Sequence, residues 1–135
     1  MNTKYLLDTN IASYIIKGHS LIIEEKLLKV PMESIFISAI TEAELLRGIT
    51  KKTEDKRLQL IVKEFLLCVE TLVWDSDAAH AYANLRRICD QEGKQLGTMD
   101  ILIASHSLAV EAVLITNDKA FYQLKNYLKL EDWTH

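Results

Sequence analysis

The sequence predicts an α/β domain over residues 1–135, with a central parallel sheet of about four or five strands between layers of helix. Three observations predict it. Short runs at 5–7, 35–37 and 112–115 are apolar throughout rather than alternating, the pattern of strands buried on both faces. The segments between them carry the 3.6-residue period of amphipathic helices, so strand and helix alternate along the chain. With 135 residues, 49% hydrophobic and 26% charged, the chain can bury one core without disulfides or a structural metal.

Each element follows in order. Tyr5-Leu6-Leu7 forms the first strand and stops at Asp8. An apolar helical hairpin spans 11–30; its Ile15, Ile16, Leu21, Ile22 and Ile23 exceed what one buried face needs and predict an oligomer surface. The strand at 35–37 runs into Ser38 and Ala39, and Thr41-x-x-Glu44 matches a capping box at a helix start. Leu58, Ile61, Val62, Phe65 and Leu66 trace the next helix. A weaker strand at 72–74 precedes a helix through Ala78, Tyr82, Leu85 and Cys89, which ends at Gly93, a residue suited to a left-handed cap. Met99, Leu102, Ile103, His106 and Val110 mark another helix. The strand at 112–115 and a weaker one at 128–130 complete the sheet. Tyr5, Tyr14, Trp74, Tyr82 and Phe121 read as core or interface aromatics, since none lies in a base-stacking strand motif.

Composition narrows the chemistry. Sixteen basic and 19 acidic side chains give a net charge of −3, so no global cationic surplus points to a nucleic-acid partner. Lys51, Lys52, Lys56 and Arg57, and Arg86, Arg87 and Lys94, form local basic clusters whose default reading is solvated helix surface. Cys68 and Cys89 form no Cys-x-x-Cys pair and read as small core residues. His106 lies on an apolar helix face and reads as a hydrogen-bonded core histidine, while His19, His80 and His135 stand in no ligand pattern. No apolar run is long enough for a signal or membrane segment, which predicts a cytoplasmic protein. Gly-x-Ser-x-Gly and the phosphate-binding Gly-x-x-x-x-Gly-Lys are both absent.

Ligands of open α/β sheets bind beyond the carboxyl ends of the strands. Acidic and hydroxylic residues recur there: Asp8-Thr9-Asn10, then Glu42 and Glu44, then Asp100 in a first helical turn, then Thr116-Asn117-Asp118. Singly, each is as well explained as a cap or turn residue. Jointly they pose an electrostatic problem, because two like charges ~4 Å apart repel by about 4 kcal/mol at an effective dielectric of 20. Protonation or a divalent cation relieves it. An all-oxygen set without His or Cys favours Mg²⁺ or Mn²⁺ over zinc, and such a site suits phosphodiester hydrolysis. Arg47, one turn after Glu44, fits either a surface ion pair or a phosphate contact at the rim.

The strings Leu6-Leu7-Asp8-Thr9-Asn10, Thr41-x-x-Glu44-Leu45-x-x-Gly48, Asp100-Ile101-x-Ile103-Ala104 and Leu114-Ile115-Thr116-Asn117-Asp118, with Phe121, resemble the PIN-domain nucleases. More narrowly the chain resembles the VapC toxins of bacterial toxin–antitoxin modules, down to Leu130-Glu131-Asp132-Trp133. The resemblance implies a compact α/β/α domain acting as a Mg²⁺- or Mn²⁺-dependent endoribonuclease. Asp8, Glu44, Asp100 and Asp118 would be its acidic quartet. Asp8 and Asp100 would ligate the metal, Glu44 would contribute directly or through water, and Asp118 would be the most peripheral. Thr9, Asn10 and Thr116 would hold the carboxylates in place. It also implies a homodimer silenced by a VapB-like antitoxin laid across the acidic cleft, with operator DNA met only through that antitoxin. The RNA would be cut to 5′-phosphate and 3′-hydroxyl ends, with the anticodon stem-loop of tRNA, initiator tRNA included, as one candidate substrate. No membrane takes part.

Two other readings use the same acids. A phosphoacceptor receiver domain is also small, α/β and acidic at its strand ends, but pairs its acids after the first strand, where this chain has Asp8-Thr9-Asn10. The same departure counts against a haloacid-dehalogenase-like phosphatase. A PIN domain that binds RNA or a partner without catalysis is the third.

Overall fold

A computed structural model describes residues 2–18 and 20–135, so of the readings above only the one made of His19 lies outside the described residues. Five parallel strands, β1 (Tyr5–Leu7), β2 (Ile35–Ser38), β3 (Glu70–Leu72), β4 (Val113–Ile115) and β5 (Leu130–Glu131), form one sheet in the order β3-β2-β1-β4-β5. Among the described residues, seven α-helices connect and cover them: α1 (Thr9–Lys17), α2 (Leu21–Leu28), α3 (Ala39–Thr50), α4 (Lys56–Cys68), α5 (Ser76–Glu92), α6 (Thr98–Ala109) and α7 (Lys119–Tyr122).

Alternation along each short strand splits the core in two. Leu7, Ile35, Ile37 and Ile115 face α1 to α4, where Ile11, Ile23, Leu45 and Val62 meet them. Leu6 and Leu114 face the other layer, against Leu85, Ile101, Ile103 and Phe121. Leu6, Leu7, Leu114 and Ile115 have no exposed surface, and burying such a side chain is worth about 1.5–3 kcal/mol. The central strands are therefore wholly apolar because both their faces are dry.

The two edge strands correct the sequence reading. β3 occupies Glu70–Leu72 rather than 72–74, and β5 occupies Leu130–Glu131 rather than 128–130. Each pairs on one side only, so polar residues such as Glu70, Thr71 and Glu131 are tolerated and an apolar-run criterion slides off them. Trp74 lies past the strand and instead donates its indole N–H to the Leu102 carbonyl at 3.0 Å. Cys68 is also corrected: it is exposed at the end of α4, whereas Cys89 is buried as expected. Gly93 does cap α5 with φ 65°, and Gly18 ends α1 with φ 67°, backbone angles an L side chain resists.

β1 is the switch point of the sheet. From it the chain builds outward through β2 and β3 in one direction, then returns to β4 on its other side. The residues following β1 and β4 consequently diverge from adjacent strands toward different helical layers, and open a crevice at the carboxyl edge. Asp8 N–H still donates to the Ile115 carbonyl at 3.0 Å, so the two strand ends are held together where that crevice begins.

Candidate active site

Asp8 leaves β1 at the switch point and is only 3% exposed. Its Oδ1 accepts the Ile11 N–H at 2.8 Å, capping α1, and its carboxylate also takes a hydrogen bond from the Thr116 side chain. Those bonds favour the ionised form, yet burial first, and the charges of Asp100 and Asp118 besides, push its pKa from 3.8 up to about 6. Asp100 sits in the first turn of α6. Burial raises its pKa as well, followed by the charges of Asp118 and Glu44. Charges from four segments separate along the chain thus bear on Asp8 and Asp100.

Hydroxyls hold this group in place. Thr9 Oγ1 lies 2.5 Å from Glu44 Oε1 and 3.2 Å from Thr41 Oγ1; a hydroxyl has one proton, and the charge-assisted contact takes it. Glu44 is therefore turned toward α1 by Thr9, and the capping-box reading is corrected: Ser38 caps α3 through the Ile40 N–H at 3.0 Å. Thr116, wholly buried, serves two acids, bonding Asp8 and accepting the Asp118 N–H at 3.0 Å. Asp118 caps α7 through the Ala120 N–H at 2.9 Å.

Asn10 is placed differently from Thr9 and Thr116. It is exposed and makes no side-chain hydrogen bond to a carboxylate among the described residues; it lines a groove beside Glu44. That groove, about 300 Å³, runs between α1, α3 and α4 with Leu45 and Ile49 in its floor and Lys51 and Lys52 at its far end. It meets the acidic centre only through Thr9, Asn10 and Glu44. Arg47 is exposed and forms no ion pair with Glu44 among the described residues.

Tyr122 carried no sequence signal, and His106 carried one for burial only. Tyr122 donates its hydroxyl to the Thr116 carbonyl at 3.1 Å and lies near enough to Asp132, Asp8 and Glu131 that their charges, after burial, raise its pKa. It backs the residue that holds Asp8. His106 is buried as expected, but its partner was not foreseeable: Nδ1 lies 2.7 Å from Ser38 Oγ, joining α6 to the start of α3. Burial lowers its pKa and so favours the neutral ring, while Asp75 and a backbone bond at Val73 oppose the shift. Ser38 Oγ thus bridges two elements, accepting the Ile40 N–H and bonding the His106 ring.

The donor chemistry fits a hard divalent cation. The acids and their hydroxyl partners offer oxygen alone, and the described residues contain no group of three or more His, Cys, Asp or Glu close enough to enclose an ion by themselves. A cation that keeps most of its water and takes one or two carboxylates suits such spacing; four-coordinate zinc does not.

Comparison with known proteins bears on the family and the fold. The profile of the PIN domain matches residues 5–127. The chain is similar to ribonuclease VapC2 of Rickettsia felis, at 36% identity over 131 residues covering 96% of this chain and 97% of that protein. It is similar to the tRNA(fMet)-specific endonuclease VapC of Shigella flexneri, at 27% identity over 97% of this chain and 98% of that one. Its fold superposes on a chain of the crystal structure of VapBC2 from Rickettsia felis bound to a DNA fragment from their promoter. The TM-score is 0.88 and the identity 34%, with 97% of this chain and 99% of that chain covered.

Proposed function

This chain belongs to the PIN-domain family, among its VapC ribonucleases, and from that premise we propose that it is the toxic endoribonuclease of a type II toxin–antitoxin pair, hydrolysing RNA with Mg²⁺ or Mn²⁺. One observation carries the reading: carboxylates from four separate segments meet at one edge of the sheet, where Asp100 and Asp118 add to the raised proton affinity of Asp8, and Asp118 and Glu44 to that of Asp100. A divalent cation, when bound, offsets that charge and lowers the pKa of a water that attacks the phosphodiester.

Asp8 and Asp100 would hold the cation; in Asp8, Oδ1 is already engaged by the Ile11 N–H. Glu44, aimed by Thr9, contributes directly or through water. Asp118, with Oδ1 committed to Ala120, stands at the periphery. Thr116 keeps Asp8 and Asp118 in register, and Asn10 faces the RNA side at the groove mouth. Water, not the ribose 2′-hydroxyl, is the nucleophile, so products carry 5′-phosphate and 3′-hydroxyl ends.

The inhibitory partner is a VapB-like antitoxin, and operator DNA is met through it; the Rickettsia complex with promoter DNA supports both statements. The Shigella relative's name supports tRNA, the initiator included, as substrate. A homodimer is supported by the exposed Leu21, Ile22 and Leu28 on α2. The whole of 1–135 serves as one cytoplasmic nuclease domain, and no described helix is long and apolar enough to cross a membrane.

The test is induced expression of wild type beside Asp8→Asn and Asp100→Asn, scoring growth and RNA integrity. Arrest by wild type alone supports the proposal; arrest that persists in both variants overturns it, and arrest in none selects the catalytically silent reading. Initiator tRNA left intact by purified protein with Mn²⁺ removes that substrate.

A further inference from the structure

Asp100 and Asp118 reach the acidic centre on two segments that no strand pairing joins. Asp118 heads α7, a helix of four residues. Asp100 lies in the first turn of α6, which has Gly97 at its N-cap and no side chain capping it, whereas a Ser or Asp side chain caps each of the other six α-helices. Between α5 and α6 the chain runs only from Gly93 to Gly97. Glycine at both ends leaves that loop little intrinsic stiffness, so contacts that hold the loop add to the buried Ile101, Ile103 and Ala104 of α6 in placing Asp100.

One side chain, just past α7, does so from outside the site. The Gln95 N–H donates to Gln123 Oε1 at 3.4 Å, and Gln123 Nε2 donates back to the Gln95 carbonyl at 3.0 Å. A carboxamide carries the donor and acceptor of a peptide group, so Gln123 pairs with the loop as a neighbouring strand would. Nε2 also donates to the Ala120 carbonyl at 3.0 Å, which fixes the carboxamide against α7. Lys94 repeats the tie in the other direction, its Nζ donating to the Gln123 carbonyl at 2.6 Å. Glu92 holds Lys94 at 3.1 Å and accepts the Tyr127 hydroxyl, and the Lys94 ammonium stands 5.4 Å from the Tyr127 ring centroid. Among the described residues, every side-chain hydrogen bond between the loop and the α7 segment passes through Gln123.

We propose that Gln123 is a positioning residue for the nuclease site, locking the loop that leads into the helix of Asp100 to the segment that carries Asp118. The inference rests on the reading of those two acids given above. The clamp supplies, before any cation arrives, part of the restraint that sets the separation of two mutually repelling carboxylates. Its loss leaves RNA contacts untouched and loosens the cation site.

Gln123→Met keeps length and removes both halves of the pairing; Gln91→Met, at an exposed glutamine bonded only to Arg87, is the control. On the purified full chain, Mn²⁺ binding without RNA is measured by calorimetry, backbone exchange of residues 98–101 by mass spectrometry, and RNA cleavage at saturating Mn²⁺. Gln123→Met should weaken Mn²⁺ binding three- to tenfold, speed exchange of the α6 first turn at least fivefold, and lower kcat three- to tenfold with KM within twofold. Gln91→Met should change none of these. Mn²⁺ affinity and α6 exchange within 1.5-fold of wild type overturn the inference. If Gln123→Met melts far below wild type, Lys94→Met, which removes the other tie, is read by the same criteria. Asp100→Asn separates the two levels: if it cleaves RNA as wild type does, the site reading fails and takes this inference with it. If it is inactive while the Gln123 and Lys94 variants bind Mn²⁺ normally, the positioning role alone is refuted.

Discussion

Asp8→Asn should stabilise the metal-free protein while removing its activity. Asp8 is buried among like charges, and its proton affinity is raised from an ordinary pKa of 3.8 to about 6. At ~1.4 kcal/mol per tenfold in the proton equilibrium, keeping it ionised at pH 7.5 costs the fold on the order of 3 kcal/mol. The sign follows from where the proton is held: the native state binds it more tightly than the unfolded chain, so stability from this group is full below pH 3.8 and is lost as pH rises through about 6. Asparagine keeps an oxygen for the Ile11 N–H and never ionises. In EDTA at pH 7.5 the variant should therefore be more stable by about 2–3 kcal/mol, roughly 5–10 °C in Tm for a chain of this size. The gap should close as pH falls from 7 to 4. Saturating Mn²⁺ should raise wild type and leave the variant where it was. Urea melts of both proteins across that range, with and without Mn²⁺, measure it. A variant less stable than wild type in EDTA at pH 7.5, or a gap that ignores pH, would refute the account of a strained acidic centre.

Other expectations follow from single contacts. Thr9→Val removes the hydroxyl that aims Glu44 and should lower kcat/KM by about 10- to 100-fold with little change in melting temperature, as losses of a ligand's outer partner do. His106 is held neutral by burial, so its native pKa lies below the ordinary value of about 6.5. Its contribution to stability is present above pH ~6.5 and is lost as pH falls through the native value. The slope this adds below pH 6.5 should disappear in His106→Gln, measured on an Asp8→Asn background to remove the opposing carboxylate. Leu114→Ala empties a wholly buried position on the central sheet and should cost about 2–5 kcal/mol in denaturant melts.

The parts of the fold legible in the sequence are those where both faces of an element are dry. β1, β2 and β4 read as apolar runs because helices cover the sheet above and below, and α4, α5 and α6 read from their period. β3 and β5 drifted by one or two residues at each end, since an edge strand with Glu70 or Glu131 looks like a loop when only composition is consulted. Cys68 was misjudged for a similar reason: it falls near the end of an apolar helix, and one residue there turns the side chain from core to solvent.

At the site, residue identity was the legible part. Asp8, Asp100 and Asp118 stand after strands or at helix starts and Glu44 one turn into α3; position drew attention to them, and the family resemblance singled them out as candidates. Their supporting contacts were not legible, because each joins residues far apart in the chain. Thr9 meets Glu44 across 35 positions, His106 meets Ser38 across 68, and Gln123 meets Gln95 across 28. The motif Thr41-x-x-Glu44 even pointed to a local capping bond, which lost to the charge-assisted one offered by α1.

By itself, then, the sequence determined an α/β sheet with acids at its carboxyl edge, because burial and helix periodicity are short-range patterns written residue by residue. Only the tertiary structure decided that the four carboxylates share one electrostatic environment, that Thr9 and Thr116 hold three of them, and that Gln123 ties two of their segments together. The physical reason is the switch at β1. The strand order places Asp8 between segments more than 30 and more than 100 positions away, and no local pattern encodes which distant charge will be its neighbour.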